Sequence, residues 1–349
     1  MILLFRGYHP HKISGKAIYV NYLFRNSRTK NVFHDWNLLN LIHPKFTYLF
    51  RSYDLYILYS AKVFLILLLA KVFRPKISEI IVDSQENFFI IPIIKFFNYE
   101  NISAIFYDFS DKEKIPSKSF QENILKCTRI IVMTNAMKKE LCDKVPRIDQ
   151  EKINVVYYKV SKEQFCPMAR EELLKFKQKC NLPAKFILYV GSEQNRKNFF
   201  TLVNAFEKLQ NRHPDLYLLK IGKDQAKDNR LKLNVKLNTS KRLKDKFMLV
   251  EECSDDDLVN YYNLAQLVVF PSLYEGFGIP LVEAMACGIP IVASNIETTR
   301  EICGDSIIYV DDKKNDDKFA EKINMVLASK DLRRQLMKKS FYRSKKYTY

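Results

Sequence analysis

Between Pro271 and Glu283 the chain reads P-S-L-Y-E-G-F-G-I-P-L-V-E, with Glu275 and Glu283 eight positions apart around two glycines. The apolar run Leu267, Val268, Val269, Phe270 precedes it and a helical pattern follows, so the expected order is strand, turn, helix. Gly276 and Gly278 permit a close backbone approach to a ligand. Pro280 suits a first helical turn, where its fixed φ matches the helix and its missing N–H would be unpaired anyway. A helix N-terminus with free N–H groups favours an anion, by roughly 0.3 to 1 kcal/mol from its dipole alone, and phosphate is the obvious candidate. Glu283 falls about one turn into the helix, where it can accept hydrogen bonds from vicinal hydroxyls such as those of a ribose. Glu275 falls at the carboxyl end of the strand, where open α/β sheets bind ligands. The plainer alternative is a surface loop with two solvated carboxylates. The glycines, the proline and the buried strand ahead of them favour a binding turn.

The alternation of strands and helices extends this reading over the whole chain. Strands are expected at Ile2–Phe5, Asn31–His34, Asp54–Tyr59, Glu79–Asp83, Ala104–Tyr107, Arg129–Met133 and Asn154–Val156. Helical patterns separate most of them, at Gly15–Arg25, Ala61–Phe73, Asn87–Phe97 and Asn135–Lys144. The alternation restarts at Phe186–Val190, a strand ending in Gly191, followed by S-E-Q-N-R-K-N-F-F and a helix from about Asn198 to Gln210. Arg196 and Lys197 therefore sit in a strand-to-helix loop, where two adjacent cations can hold a diphosphate or, as lone basic residues, remain solvated. Ser254 reads as a helix N-cap with Asp257 at the third position, so Asp255-x-Asp257 is a capping arrangement rather than a metal motif. Repeated strand, helix, strand units imply parallel sheets with right-handed crossovers, in two domains: 1–165 and 166–349.

The turn resembles the Glu-x7-Glu motif of the retaining GT-B glycosyltransferases of family 4, also called group 1, and the likeness continues through A-M-A-C-G-I-P-I-V-A-S, Ala284–Ser294. The resemblance implies an α/β GT-B fold, two Rossmann-like doubly wound parallel-sheet domains facing a central cleft. The amino-terminal domain would take the acceptor and the carboxy-terminal domain the nucleotide sugar. It implies a hexosyltransferase-class enzyme that moves a sugar from a nucleotide-diphosphate sugar to a saccharide or lipid-linked acceptor, with retention of anomeric configuration. Neither a metal nor a cofactor beyond the donor substrate is implied. Residue by residue, Arg196 and Lys197 match the family's R-K-N element, which contacts the donor diphosphate, and Glu275 completes the catalytic set. Glu283 would bind the nucleotide ribose, while Gly276, Phe277, Gly278, Ile279 and Leu281 would line the donor site. Gly15 resembles the glycine of the family's first βα loop, though a plain turn before a helix is the alternative. Tyr107, in I-F-Y-D-F, stands where relatives often carry histidine; tyrosine titrates near 10, so a role in shaping the pocket is expected rather than proton transfer. Relatives commonly have an Asn-Gly turn near the linker, where Tyr158 and Lys159 stand here, with the hinge near residues 157–168. Family members end in a helix that crosses back to the first domain, and with the final Y-R-S-K-K-Y-T-Y that returning segment is expected to be short.

Composition bounds the partners. The 349 residues carry 57 basic and 39 acidic side chains, a formal charge of +18. Such a balance attracts phosphates, anionic lipid or nucleic acid, or simply gives a soluble lysine-rich surface. No aromatic-basic RNA motif appears, so no nucleic-acid partner is expected. Seven cysteines without a C-x-x-C pair indicate reduced thiols and a cytoplasmic setting rather than disulfides or zinc. No signal peptide is expected at Met1–Phe5, and the apolar run Val63–Ala70 is too short to cross a bilayer, which needs about 20 residues. That run reads either as a buried helix or, with Lys62, Lys71, Arg74 and Lys76 nearby, as an interfacial helix at the inner face of the membrane. Two other classes compete with the transferase reading: a sugar-nucleotide epimerase or phosphorylase of the same fold, and a non-catalytic basic binder of membrane surface or nucleic acid.

Overall fold

The structure, a computed structural model, describes residues 2–5, 32–34, 63–68, 79–83, 85–109, 115–223 and 227–349. The expected strand Asp54–Tyr59, the helix Gly15–Arg25 and Gly15 itself lie outside these residues. The chain divides into two compact units, with the division along the chain at Tyr157 and Tyr158. Residues after this point belong with the second unit for a visible reason. Val160 bridges to Thr348 in parallel, its N–H donating to the Tyr347 carbonyl at 2.9 Å, and Phe165 packs edge-on to Tyr262.

The first unit holds a sheet of six described strands: β1 (Ile2–Phe5), β2 (Val32–His34), β3 (Glu79–Asp83), β4 (Ile102–Ile105), β5 (Arg129–Val132) and β6 (Ile153–Val155). All pairings are parallel, in the order β2-β1-β3-β4-β5-β6. The strand expected at Ala104–Tyr107 begins and ends two residues earlier, so Tyr107 follows β4 rather than closing it. Its ring is buried, and its hydroxyl donates to Asp83 Oδ1 at 2.7 Å, at the carboxyl end of β3. The helix expected at Asn87–Phe97 is a 3-10 segment, Gln85–Ile90, that becomes α-helical at Ile91–Phe96. Pro92 accounts for the change, since it lacks an N–H and fits only within the first turn of the α-helix. Of the expected helix Ala61–Phe73, residues 63–68 are helical. Val63 and Leu67 face inward, and Phe64, Leu65 and Leu68 are exposed.

The second unit repeats the plan with β7 (Lys185–Val190), β8 (Leu216–Ile221), β9 (Phe247–Val250), β10 (Leu267–Phe270), β11 (Ile291–Ser294) and β12 (Ile308–Val310). The order is β12-β11-β10-β7-β8-β9, again all parallel. The central strands read as continuous apolar runs because helices cover both faces of a parallel sheet. On one face helix α1 (Phe199–Leu209) inserts Phe199, Leu202, Val203 and Phe206 into the core beside Phe319, Ile323 and Val326 of the helix Asp316–Ala328. Taken from its first strand, this sheet is built outward in one direction through β8 and β9 and then restarts on the other side with β10, β11 and β12. The chain therefore reverses direction across the sheet between β7 and β10. A crevice opens outside the carboxyl ends of two strands at such a switch point, and this is where doubly wound sheets bind ligands.

Candidate active site

The loops that follow β7 and β10 meet at the switch point, and they bring together residues about eighty positions apart in sequence. After β7 the chain forms a single 3-10 turn, Asn195–Lys197, closed by Asn198 in the left-handed region at φ 53° and ψ 33°. Asn198 suits that conformation, and its amide donates to the carbonyls of Pro271 at 3.1 Å and Lys313 at 2.7 Å. The Leu273 N–H donates to the Arg196 carbonyl at 2.8 Å. These bonds fix the β7 loop against the β10 loop, so the charges they carry face each other at short range.

Glu275 is the centre of that arrangement. Its carboxylate is buried and accepts from Lys197 Nζ at 2.5 Å, Ser272 Oγ at 2.7 Å and Arg196 Nη1 at 3.3 Å. Its backbone carbonyl accepts from Thr298 Oγ1 at 2.7 Å. Burial alone would raise the pKa of such a group, but the charges of Lys197 and Arg196, with the hydrogen bonds from Lys197 and Ser272, more than offset it. The carboxyl is held below its ordinary range. Glu275 is therefore an anion throughout the physiological range and cannot serve as a general acid there. Two cations share one carboxylate, which leaves excess positive charge at the mouth of the switch point, with Arg196 about a quarter exposed.

The glycine turn then leads into helix α2 (Ile279–Ala286). Gly278 is its N-cap at φ 91° and ψ 57°, a conformation that side chains disfavour, and a Cβ there would come within 2.9 Å of Leu281 Cδ1. Pro280 lies in the first turn, as its missing N–H requires. Phe277 is buried between two aromatic rings from distant parts of the chain, Tyr158 at 5.8 Å and Tyr347 at 6.2 Å between centroids. Leu281 is fully buried in the core, so any role in donor binding falls to its backbone rather than to its side chain.

Glu283, one turn into α2, is buried, and its Oε2 accepts from the hydroxyl of Tyr262 at 2.7 Å. Tyr262 comes from helix α3, Asp255–Leu264, which Ser254 caps through the Asp257 N–H at 3.0 Å, as the capping reading expects. With no cation against it, Glu283 behaves unlike Glu275. Burial pushes its carboxyl up to about 7, opposed by the Tyr262 bond and reinforced by the charge of Asp255. The same contact, added to burial, raises the Tyr262 hydroxyl well above its ordinary value. The pH consequence has a definite sign. Below 4.5 the carboxyl is protonated in both the folded and unfolded chain, between 4.5 and about 7 only the folded chain holds the proton, and above that neither does. Stability from this group is therefore present at low pH and lost as pH rises through that window, by about 3 kcal/mol at 1.36 kcal/mol per factor of ten. Glu283→Gln removes the titration, so the unfolding free energy of the wild type should fall relative to that of the variant as pH rises from 4.5 to 7.5. Parallel pH profiles would show that Glu283 does not titrate there.

Of the residues singled out in the sequence, Arg196, Lys197 and Glu275 form one bonded cluster, and Gly276, Phe277, Gly278, Ile279, Leu281 and Glu283 form the turn and helix that follow it. Gly15 is outside the described residues. Sequence reasoning missed Ser272, Thr298 and Tyr262, which carry no local signal, and Asn198, whose place after the two cations was a clue. Among the described residues no group of three or more histidine, cysteine, aspartate or glutamate side chains is gathered, and no helix is long and apolar enough to cross a membrane.

Two all-parallel Rossmann-like sheets, the second carrying cations and carboxylates at its switch point, define an α/β protein of the GT-B class. The Anabaena protein Alr3699/HepE, solved with UDP and glucose, shares this fold with a TM-score of 0.75 over 99% of this chain and 95% of its own, at 15% identity. Residues 170–342 match the family model "Glycosyl transferases group 1". The second unit thus carries a group 1 glycosyl transferase domain. The chain is 37% identical over 139 residues to the serotype-specific mannosyltransferase WbdA of Escherichia coli, covering 38% of this chain and 16% of WbdA. It is 30% identical over 197 residues to the O-antigen chain mannosyltransferase RfbU of Salmonella typhimurium, covering 55% of this chain and 50% of RfbU. The matches thus span half or less of the length of these curated relatives.

Proposed function

We propose that the protein is a retaining, metal-independent glycosyltransferase that moves a hexosyl group, mannose being the first candidate, from a nucleoside-diphosphate sugar to a glycan or lipid-linked acceptor. The observation that carries this reading is the Arg196–Lys197–Glu275 cluster at the switch point of the second sheet. The leaving group is a nucleoside diphosphate, on which negative charge grows as the glycosidic bond breaks. Lys197 and Arg196 are pre-positioned cations for that charge, and Glu275 holds both in place. Their charge takes the part a divalent ion plays elsewhere. Because Glu275 is a paired anion, it does not protonate a leaving group; it orients the cations and accepts from sugar hydroxyls. Glu283 has one oxygen committed to Tyr262 and the other to give to the nucleotide ribose. The acceptor hydroxyl attacks from the face the leaving group vacates, and the departing phosphate takes its proton, which gives retention without an enzymic nucleophile. The mannosyl preference follows from the names of WbdA and RfbU, and a growing polysaccharide is the matching acceptor class.

The seven cysteines are all unpaired, in keeping with a reducing cytoplasm. A lipid-linked acceptor would be met at an anionic membrane surface, and the exposed Phe64, Leu65 and Leu68 of helix 63–68, with Phe64 packed against Phe96 at 6.2 Å, support that setting. The test is thermal stabilisation by UDP-glucose, GDP-mannose and the free diphosphates, followed by transfer from the best donor to a membrane extract. A ligand at 100 times its dissociation constant stabilises by about 2.7 kcal/mol. Product requiring the extract and keeping the donor's anomeric configuration is expected. Conversion of the sugar nucleotide without any extract would instead reveal an epimerase, and inversion would remove the front-face mechanism.

A further inference from the structure

From Lys330 onward the chain carries eight basic residues and a single acidic one, Asp331. This is a far steeper imbalance than the 57 to 39 of the chain as a whole. Most of the stretch is helix α4, Lys330–Ser344, which runs on through a 3-10 turn to Tyr347. Leu336, Ser340, Ser344 and Tyr347 recur at helical spacing and are buried, so they define the inward face. The basic residues divide between two jobs. Arg333 and Arg343 turn inward, donating to the carbonyls of Val326, Leu327, Ile302 and Glu301, and so tie the helix down. Lys338 and Lys345 lie on the opposite face with Arg334. Among the described residues Lys338 and Lys345 form no ion pair. Apolar groups stand among these charges: Tyr342 is 75% exposed, Met337 42% and Phe341 40%. Lys345 Nζ lies 5.6 Å from the ring of Tyr342 and 5.9 Å from that of Phe341.

A lysine face with no aromatic residues would be explained by solvation alone. Here an exposed tyrosine, phenylalanine and methionine share the surface with the lysines, and each leaves apolar area in water. That combination matches the water–lipid boundary, where lysines meet anionic headgroups and aromatic rings sit at headgroup depth. We propose that the outer face of α4, through Lys338, Tyr342, Lys345 and Lys346, docks on an anionic phospholipid surface. This deepens the membrane setting of the proposed function by assigning a contact in the second unit, independent of helix 63–68. It involves no covalent step and leaves the switch-point residues untouched.

The experiment is co-sedimentation of the full chain with vesicles of phosphatidylcholine, with and without phosphatidylglycerol. Wild type should bind only the anionic vesicles and be released near 1 M salt, where the screening length is about 3 Å. Each lysine near such a surface is worth roughly a fivefold change in partitioning, so Lys338→Gln/Lys345→Gln/Lys346→Gln should weaken binding by about 100-fold. Tyr342→Ser should weaken it by a smaller, salt-insensitive factor. Unchanged thermal stabilisation by UDP or GDP verifies that the variants are folded. If the triple variant binds like wild type while Phe64→Ser/Leu68→Ser does not, membrane contact stands but α4 is not its site. If no vesicle binds, or if a short RNA oligonucleotide binds in preference and Tyr342→Ser has no effect, the lipid assignment is overturned. Vesicle binding without any glycosyl transfer would instead defeat the transferase reading and leave the docking face intact.

Discussion

Lys197→Ala is expected to lower kcat/KM for transfer by roughly 100- to 1,000-fold, the effect of removing one donor aimed at developing charge, about 2.7 to 4 kcal/mol. The ammonium sits 2.5 Å from Glu275 Oε1, so it is already desolvated and oriented before substrate arrives. Its attraction for a diphosphate grows as that group takes up charge. The loss should therefore fall more on kcat than on the donor KM. Glu275 also changes, since it keeps only Arg196 at 3.3 Å and the Ser272 hydroxyl, and its carboxyl should rise toward the ordinary range. Steady-state kinetics with the best nucleotide sugar, beside a Lys197→Arg control that retains charge, separates charge from packing. A kcat/KM within threefold of wild type would show that Lys197 takes no part in the transfer step.

The second large effect is on stability and lies beneath the same loop. Lys220 occupies the fifth position of β8, and its Nζ contacts Glu193 Oε1 at 2.9 Å with both side chains fully buried. It also donates to the Gly222 carbonyl at 2.5 Å, while the Asn229 amide donates to the Glu193 backbone carbonyl at 2.8 Å. The Gly191 and Gly222 backbones lie so close that a Cβ on Gly222 would meet the Gly191 oxygen at 2.9 Å. The pair therefore joins β8 to the loop after β7 just ahead of Arg196. Lys220→Met strands a buried carboxylate, and breaking such a pair typically costs about 3 to 5 kcal/mol. Arg230, 3.9 Å from the same oxygen, should keep the loss toward the lower end. For a unit of this size that is a fall of roughly 10 °C in Tm. Glu193→Gln/Lys220→Met should recover most of it, because a neutral pair carries no stranded charge. A single variant that melts with wild type would show that the pair contributes nothing to the fold.

How legible these features were in the sequence depends on whether a local pattern marks them. The strand, turn and helix around Glu275 were readable because two glycines and a proline are punctuation with a fixed conformational meaning. That Lys197 and Arg196 bond to Glu275 was not readable, since only the strand order β10-β7-β8 places loops about eighty residues apart side by side. Lys220 passed unnoticed in L-Y-L-L-K-I because a lysine there looks like a blemish in an apolar run, and its partner is 27 residues earlier in a loop. The two glutamates looked alike in the motif. Their surroundings set them apart, two cations for Glu275 and a tyrosine hydroxyl for Glu283. The helix before Phe97 was placed correctly in outline, but Pro92 was not weighed, and it is what divides that segment.

The aromatic packing of Phe277 also bears on the order in which the second unit assembles. Tyr158 stands at its beginning and Tyr347 near its end, and both rings close on the glycine turn. The adjoining bridge from Val160 to Thr348 joins residues separated by 348 minus 160, or 188 positions. Closing so long a loop is slow, and contacts of that span form late. A chain that has paired β7 through β12 but not yet docked Tyr347 has a glycine turn lacking one of the two rings that brace it. The glycine turn is thus among the last parts of the second unit to gain its final packing, and a folding chain acquires its sheet before this turn is fully braced.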